Sequence, residues 1–251
     1  MEVILKAKDL CKTFSNESMQ QHVLKNLNLE IRRGEFVVIM GNSGSGKSTL
    51  LYALSGMDKP TLGSVRYKDE EITDYSNDRL AVFRRENCGF VFQQNYLNDT
   101  MSVLDNIMVS GLLKSRDRKA IARKAESLLE EVGLNEQSFH KFPSQLSGGE
   151  AQRVAIVRGL INDPEILFAD EPTGALNSAN TENVLNVLSS LHEKGQTIVM
   201  VTHDIRSARR ADRISYLQDG VITGELELGK YATGDVARHE KLRLFLKEMG
   251  W

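Results

Sequence analysis

Short apolar runs and amphipathic segments alternate along most of the chain. Phe36–Met40 is an apolar run of strand length, and further strands are predicted at Glu165–Ala169 and Gln196–Val201. Between the last two lies a helical pattern at Ser178–Glu193. Such alternation is typical of layered domains in which the strands run parallel. We therefore predict an α/β fold with a largely parallel sheet.

The beginning of the chain has a different pattern, because two β-rich stretches occur there without a helix between them. These are Val3–Lys8 and Val23–Ile31, and a polar hairpin is predicted around Ser15–Gln21. Since strands joined by a hairpin pair antiparallel, we predict an N-terminal antiparallel β-subdomain. A second hairpin is predicted at Gln218–Gly220, between two late strands.

The segment from Asn95 to Gln145 is helical in pattern, charged and poor in strand-forming residues. Asp117 can cap a helix at its beginning, and Gly133 can end it. The apolar face of this predicted helix consists of Ile121, Ala125, Leu128, Leu129 and Val132. We interpret the segment as a helical subdomain inserted into the α/β core.

Composition limits which binding partners and which cellular compartment are expected for the chain. Lys and Arg number 32 against 34 Asp and Glu, which gives a formal net charge of −2, so a nucleic-acid partner is not expected. Cys11 and Cys88 lack the spacing of a disulfide framework or a zinc site, and this fits a reducing, cytosolic setting. Apolar runs stay well short of the ~20 residues of a membrane helix, so no membrane span is expected.

A glycine-rich loop follows the first buried strand. Gly41–Ser48 is GNSGSGKS, which fits the G-x-x-x-x-G-K-S/T pattern of phosphate loops, and Thr49–Leu54 can continue it as a helix. Backbone N–H groups and the helix N-terminus then converge on phosphates. Lys47 would reach the β- and γ-phosphates of ATP, and the Ser48 hydroxyl would ligate Mg²⁺. The predicted ATP-binding residues of this loop are Gly41, Asn42, Ser43, Gly44, Ser45, Gly46, Lys47, Ser48 and Thr49.

Two adjacent acids end a later apolar strand. Ile166–Asp170 is ILFAD, and Glu171 follows it directly. Combined with a phosphate loop, these acids can divide the work of ATP hydrolysis. Asp170 would hold the hydration shell of Mg²⁺, and Glu171 would orient or deprotonate the attacking water.

A second glycine-rich string, Leu146–Glu150 or LSGGE, occurs roughly one hundred residues after the phosphate loop. It leaves backbone donors exposed at the beginning of a helix predicted over Ala151–Leu160. With the phosphate loop and the acidic strand end, it resembles the ATP-binding cassette (ABC) ATPases, a family with a P-loop NTPase core, and the resemblance covers nearly the whole chain. It implies a head-to-tail dimer in which Ser147, Gly148, Gly149, Glu150 and Asn177 contact ATP held by the other protomer.

The resemblance also assigns roles to residues that no local sequence pattern indicates by itself. Gln93 in VFQQ matches the family's glutamine that contacts Mg²⁺ and the attacking water, with Gln94 as the neighbouring alternative. His203 matches the histidine that contacts the γ-phosphate and helps to hold Glu171 and water in line. Phe14 resembles the aromatic residue that stacks on adenine, although burial in the β-subdomain is the competing interpretation.

Two residues depart from the family pattern at the expected dimer interface. Glu150 replaces the usual glutamine of the glycine-rich string, and Asn177 replaces the usual aspartate of the loop that crosses the dimer axis. Each exchange keeps the side-chain size and changes the charge. We expect these changes to alter the strength of dimer closure rather than the chemistry of the site.

The resemblance implies one ABC ATPase domain over residues 1–251. Residues 1–93 and 147–226 would form the nucleotide-binding core, 94–146 the inserted helical subdomain and 227–251 a helical tail. Leu242, Phe245, Leu246 and Met249 recur at helical spacing in that tail, followed by Trp251. Their apolar face can pack against its own domain or a dimer mate, or contact a membrane.

The implied function is ATP-driven dimerisation that powers a separate membrane permease from the cytoplasmic face. ADEPTGALNS at 169–178 and GNSGSGKSTLL at 41–51 resemble the ATPases of the macrolide-export, lipoprotein-release and bacitracin-resistance group. The resemblance to this group further implies export or mechanotransmission of a lipophilic or peptide substrate. The alternatives are a soluble ABC ATPase acting on nucleic acid or ribosomes, and a regulatory or signalling ATPase that moves no solute.

Overall fold

The computed structural model describes residues 2–16 and 19–251. In chain order the strands are β1 (Val3–Asn16), β2 (Met19–Arg32), β3 (Phe36–Met40), β4 (Leu62–Tyr67), β5 (Glu70–Glu71), β6 (Cys88–Phe92), β7 (Ile166–Asp170), β8 (Thr197–Thr202), β9 (Arg213–Gln218) and β10 (Val221–Glu227). The α-helices are α1 (Lys47–Leu54), α2 (Asn77–Asn87), α3 (Val103–Gly111), α4 (Arg118–Glu131), α5 (Glu136–Phe139), α6 (Gly148–Leu160), α7 (Ser178–Glu193), α8 (Ile205–Ala208) and α9 (Val236–Glu248). A short 3₁₀ turn lies at Pro143–Gln145.

The central sheet has the strand order β10-β9-β3-β8-β7-β6. Its pairs are parallel except for β9 and β10, which are joined by the predicted hairpin and pair antiparallel. Asp219 and Gly220 both have positive φ, 50° and 84°, as a tight hairpin turn requires. The predicted α/β fold with a largely parallel sheet is therefore confirmed, with one antiparallel edge strand.

Apolar layers cover both faces of this sheet. Every residue of β3, β7 and β8 is buried. Buried parallel strands have continuous apolar sequences rather than alternating ones, because helices or a second sheet cover both of their faces. One layer contains α1 and the N-terminal sheet, and the other contains α6, α7 and α9. The carboxyl ends of β3, β7 and β8 therefore carry the loops of the candidate site on a rigid base.

The N-terminal sheet has the order β2-β1-β4-β5 and is antiparallel throughout. The predicted subdomain is confirmed, but the predicted strands Val3–Lys8 and Val23–Ile31 are too short. β1 and β2 remain paired as far as Asn16 and Met19, so their exposed polar ends belong to the sheet. An antiparallel sheet tolerates such residues because one face can be solvated. Residues 17 and 18 of the predicted hairpin lie outside the described residues.

Inserted helices form a third apolar cluster together with part of α6. In α4 the Asp117 carboxylate accepts a hydrogen bond from the Ala120 N–H at 3.0 Å, and Gly133 takes a positive φ of 77° after the helix ends. Ile121, Ala125 and Leu129 are buried. The predicted helix, its cap and its stop are confirmed.

The helix α9 packs on the central sheet of its own domain. Leu242, Phe245 and Leu246 are buried in the same layer as Ile214 and Tyr216 of β9. The predicted amphipathic helix is confirmed, and its apolar face is covered within the chain. Across residues 2–16 and 19–251, no helix combines the length and the apolar character needed to cross a bilayer.

Candidate active site

The phosphate loop joins β3 to α1 and depends on glycine at two points. A Cβ on Gly41 would lie 2.1 Å from the carbonyl oxygen of Leu217 in β9, so a side chain there would displace the loop. Gly46 precedes α1 with a φ of 102°, a conformation that disfavours residues with a Cβ. The loop therefore curves tightly and presents its backbone at the N-terminus of α1.

The Lys47 side chain is folded into this loop and is only 8 % exposed. Its ammonium donates hydrogen bonds to the carbonyl oxygens of Gly41 at 2.8 Å and Asn42 at 2.9 Å. Burial lowers the pKa of Lys47, while the nearby carboxylates Glu171 and Asp170 oppose this shift. The loop thus holds the Lys47 side chain in a fixed position.

Asp170, the last residue of β7, faces the beginning of α1. One carboxylate oxygen accepts from the Ser48 hydroxyl and the other from the Tyr52 hydroxyl, each at 2.8 Å. Ser48 and Tyr52 are four residues apart and therefore lie on one face of the helix. Burial, and secondarily the bond to Asp170, raises the pKa of Tyr52 to about 12, so the phenol stays a donor at neutral pH.

Glu171 occupies a strained backbone position between β7 and the loop that follows. Its φ is 48°, a left-handed value that is uncommon for glutamate and often marks functional sites. Its carboxylate lies 2.9 Å from Nδ1 of His203 and accepts a hydrogen bond from the Thr202 hydroxyl at 3.2 Å. Thr202 ends β8 and His203 comes directly after it, and β8 is the neighbour of β7 in the sheet. Two strand ends therefore fix this carboxylate.

A cavity of about 730 Å³ opens above these groups. Ten predicted site residues line it: Phe14, Asn42, Ser43, Gly44, Gly46, Lys47, Ser48, Thr49, Glu171 and His203. Phe14 is 46 % exposed, and the Lys12 ammonium lies 5.0 Å from the centroid of its ring. The ring is thus available to a ligand, and the competing interpretation of a buried Phe14 is wrong. A drug-sized or nucleotide-sized ligand fits such a volume.

Four predicted residues lie behind or beside the cavity wall. Gly41 and Asp170 contact its lining through Lys47 and Ser48, and Ser45 is buried in the loop with its hydroxyl unpartnered in the described part of the chain. Gln93 follows β6 directly, and a Cβ on Gly174 would lie 2.9 Å from its side-chain nitrogen. Gln93 is exposed there, beside the loop that follows Glu171.

The LSGGE string begins α6, with Ser147 as its N-cap. The Ser147 hydroxyl accepts from the Glu150 N–H at 3.3 Å, and the Glu150 carboxylate accepts from the Ser147 N–H at 2.8 Å. This reciprocal pair is a capping box. The backbone and side-chain bonds from Ser147 lower the pKa of Glu150, so this carboxylate is ionised at neutral pH.

Asn177 begins α7 beside the same helix end. Its side chain accepts from the Asn180 N–H at 2.9 Å, and a Cβ on Gly149 would lie 2.6 Å from the Asn180 side chain. The two helix N-termini are therefore in close contact. Among the described residues, the wall of the cavity includes none of the five positions predicted to act in trans, Ser147, Gly148, Gly149, Glu150 and Asn177.

Several residues of the site were not found from sequence. The spacing of Ser48 and Tyr52 in α1 could have indicated the shared Asp170 partner. Thr202 carried a weak signal as the neighbour of His203. Further residues that line the cavity are Gln21, Val23 and Trp251. No local pattern links Trp251 to the phosphate loop, because their proximity arises from the packing of α9.

Comparison with known proteins identifies the family. The family model described as ABC transporter matches residues 24–174. The chain is 39% identical over 225 residues to the lipoprotein-releasing system ATP-binding protein LolD of Idiomarina loihiensis, covering 89% of this chain and 98% of that protein. It is 44% identical over 214 residues to the macrolide export ATP-binding/permease protein MacB of a Shewanella species, covering 85% of this chain. It spans only 32% of that MacB protein.

Solved structures agree with this assignment. The dimeric ABC transporter cassette MJ0796 superposes with a TM-score of 0.84 at 42% identity, covering 91% of this chain and all of that one. The same cassette has been solved as a dimer in a post-hydrolysis state bound to ADP and Pi. The sequence match and the superposition lead to one conclusion, which is that the chain belongs to the ABC transporter family as an ATPase of the cassette type.

Proposed function

We propose that this ATPase binds and hydrolyses ATP in the 730 Å³ cavity and thereby powers a separate membrane permease. The observation that carries the proposal is the position of Glu171. Its carboxylate is oriented by His203 and Thr202, lines the cavity, and shares that cavity with Lys47 of the phosphate loop. A general base needs both a fixed direction and access to the reacting phosphate.

In this site the phosphate loop binds the triphosphate. The ammonium of Lys47 pairs with the β- and γ-phosphates, and the N–H groups of the loop and of α1 donate to the phosphate oxygens. The exposed side chain of Phe14, which also lines the cavity, stacks on adenine. The loop binds through backbone groups of Gly41, Asn42, Ser43, Gly44, Ser45, Gly46, Ser48 and Thr49.

Oxygen donors beside the phosphate loop suit Mg²⁺. The Ser48 hydroxyl and the Asp170 carboxylate are in hydrogen-bond contact, and oxygen ligands of this kind are those that Mg²⁺ prefers. We assign Ser48 as a ligand, Asp170 as the holder of the metal's hydration shell, and Gln93 as a polar group that approaches from β6. A bound Mg²⁺ would neutralise phosphate charge.

Hydrolysis then follows from the geometry of two strand ends. Glu171 accepts a proton from the attacking water as the water's oxygen bonds to the γ-phosphorus, while the bond to the ADP oxygen breaks. His203, held against Glu171, contacts the γ-phosphate and keeps water and carboxylate in line. Such positioned proton transfer contributes typically ~10²- to 10⁴-fold to the rate.

A second copy of the chain completes the site. Two neighbouring helix N-termini hold the residues that do not line the cavity in the described part of the chain and that we assign to the partner's ligand: Ser147, Gly148, Gly149, Glu150 and Asn177. Helix N-termini attract anions. The dimeric state of the MJ0796 cassette supports a homodimer. We propose that its two copies are arranged head-to-tail, so that these residues cover the partner's γ-phosphate.

Glu150→Gln is expected to tighten ATP-dependent dimerisation. A glutamine oxygen can still accept from the Ser147 N–H, so the cap persists while the negative charge near the partner's triphosphate disappears. Removal of such a partly screened repulsion should lower the dimer dissociation constant about 2- to 10-fold. Analytical ultracentrifugation of Glu171→Gln with and without Glu150→Gln measures this, and an unchanged constant would refute the role of Glu150.

A groove between α2, β6 and the helices after it offers a docking surface for the permease. It has a volume of about 560 Å³ and combines exposed apolar side chains with arginines. Met57, Tyr96 and Leu113 are 44, 65 and 62 % exposed. Arg158 binds the carbonyl oxygens of residues 95 and 96, so the groove adjoins the segment after Gln93. Movement at the nucleotide site could reach a docked permease by this route.

Affinity purification of the full chain from native membranes tests the transport role. We expect a multi-helix permease to co-purify, and Leu113→Glu to reduce its recovery about tenfold or more, because a charge would be buried in the interface. Val236→Glu, at a 79 % exposed position outside the groove, is the matched control. Recovery of ribosomes or nucleic acid instead would favour the alternative soluble role.

Location and domain organisation follow from the same proposal. The chain would act on the cytoplasmic face of the membrane, where ATP is available. Residues 94–146 would serve as the helical subdomain that receives the permease, with 1–93 and 147–226 as the nucleotide-binding core and 227–251 as the tail. The names of the MacB and LolD relatives, macrolide export and lipoprotein-releasing system, support an exported lipophilic or peptide substrate for the complete transporter. Mechanotransmission is the alternative role.

A further inference from the structure

The end of α9 fixes the position of Trp251. Gly250 takes a left-handed φ of 80°, and its N–H donates to the Lys247 carbonyl at 3.2 Å. The Trp251 N–H donates to the Leu246 carbonyl at 2.9 Å. These two bonds are the Schellman arrangement that closes a helix and reverses the chain. The backbone of Trp251 is therefore held by the helix rather than extending freely from it.

The helix that carries Trp251 is itself anchored to the sheet. Leu242 and Leu246 are 0 and 1 % exposed. At its last turn the contact with β10 is close, since a Cβ on Gly224 would lie 2.6 Å from the sulfur of Met249. Because the helix is packed in this way, it moves little relative to the sheet, and the residue after it is held in place.

The Trp251 ring lies between the sheet and the cavity. It contacts Tyr216 edge-to-face, with 6.3 Å between ring centroids and an interplanar angle of 86°. Tyr216 is fully buried in β9 and is paired with Met40, the residue directly before the phosphate loop. Trp251 as a whole is 39 % exposed, and it lines the same cavity as Lys47 and Phe14.

We propose that Trp251 is a further nucleotide-contacting residue, whose indole ring packs against ATP or ADP in the cavity while its edge rests on Tyr216. This inference rests on the nucleotide site proposed above. An indole offers a large flat face and one N–H donor, which suit a ligand that carries both a purine and polar oxygens. Nucleotide occupancy is thereby linked to the docking of α9 on the sheet.

The sequence contains one tryptophan, so the intrinsic fluorescence of the full chain reports on Trp251 alone. We expect MgADP, added at a protein concentration where the chain is monomeric, to change the emission. The half-saturation should equal the dissociation constant from calorimetry. Trp251→Ala should weaken MgADP binding about 2- to 12-fold, the range for one aromatic contact, and Trp251→Phe should weaken it less. Leu244→Ala, an exposed position on the same helix, should leave binding unchanged.

Three results would overturn the proposal. Fluorescence emission that does not change with MgADP, together with an unaltered MgADP affinity of Trp251→Ala, would mean that the ring does not touch the nucleotide. Emission that changes only with MgATP in Glu171→Gln, and in step with dimer formation, would assign the contact to the second copy. Absence of nucleotide binding by calorimetry in the unmodified chain would refute the proposed nucleotide site itself. If Trp251→Ala unfolds, unchanged emission in the titration refutes the contact on its own, because the titration needs no substitution.

Discussion

Glu171→Gln is expected to bind ATP, to hydrolyse it about 10²- to 10⁴-fold more slowly and to accumulate as a dimer. The amide preserves the size of the side chain and can still accept from Thr202, but it cannot take a proton from water. ATP would then remain between two protomers. Steady-state phosphate release and size-exclusion chromatography with MgATP measure the two effects.

A matched control distinguishes loss of the proposed general base from loss of a carboxylate elsewhere in the chain. Glu131→Gln removes a carboxylate that pairs with Lys194 on the surface, and such pairs contribute roughly 0–1 kcal/mol. Its hydrolysis rate should equal that of the unmodified chain. Turnover near the unmodified rate in Glu171→Gln would contradict the assignment of the base.

Lys47→Met should weaken ATP binding about 10- to 150-fold. Hydrogen bonds to charged groups are worth about 1.5–3 kcal/mol, and methionine keeps the length of the side chain while removing its charge. Calorimetry with MgATP and hydrolysis-deficient protein gives the dissociation constant directly.

The substitution also removes hydrogen bonds within the phosphate loop itself. Methionine cannot donate to the carbonyl oxygens of Gly41 and Asn42, so the thermal unfolding midpoint must be recorded with each affinity. Lys124→Met, at a surface ion pair with Asp163, provides the control. A folded Lys47→Met protein with unaltered ATP affinity would exclude Lys47 from phosphate binding.

Parts of the fold with a strong local signal could be predicted from sequence. β3 is Phe36–Met40 as predicted, and α7 is Ser178–Glu193 as predicted, because a fully buried strand and a long amphipathic helix have distinct patterns. The prediction for β7 was displaced by one residue. β1 and β2 were underestimated because their outer ends are polar and exposed, and only cross-strand pairing gives them strand structure.

The site could be predicted where its residues belong to continuous motifs. Lys47 comes after the loop that follows β3, Asp170 ends β7 and Glu171 follows it, and the sheet brings these strand ends together. The family resemblance added His203, which now lies 2.9 Å from Glu171. The S-x-x-E spacing of Ser147 and Glu150 could have indicated the capping box of α6, but sequence could not indicate the contacts of Trp251 with Tyr216 and with the cavity. Those contacts depend on side-chain direction and on packing between distant segments.

Mixing two inactive variants tests most directly the central claim that a second copy completes the hydrolysis site. Lys47→Met disables the phosphate loop, and Ser147→Arg disables the string that acts in trans. Each variant alone should be inactive, but a mixed dimer has one site with both halves intact. An equal mixture should recover about a quarter of the unmodified activity, since half of the dimers are mixed and each has one working site of two. A mixture no more active than its components would contradict the shared site.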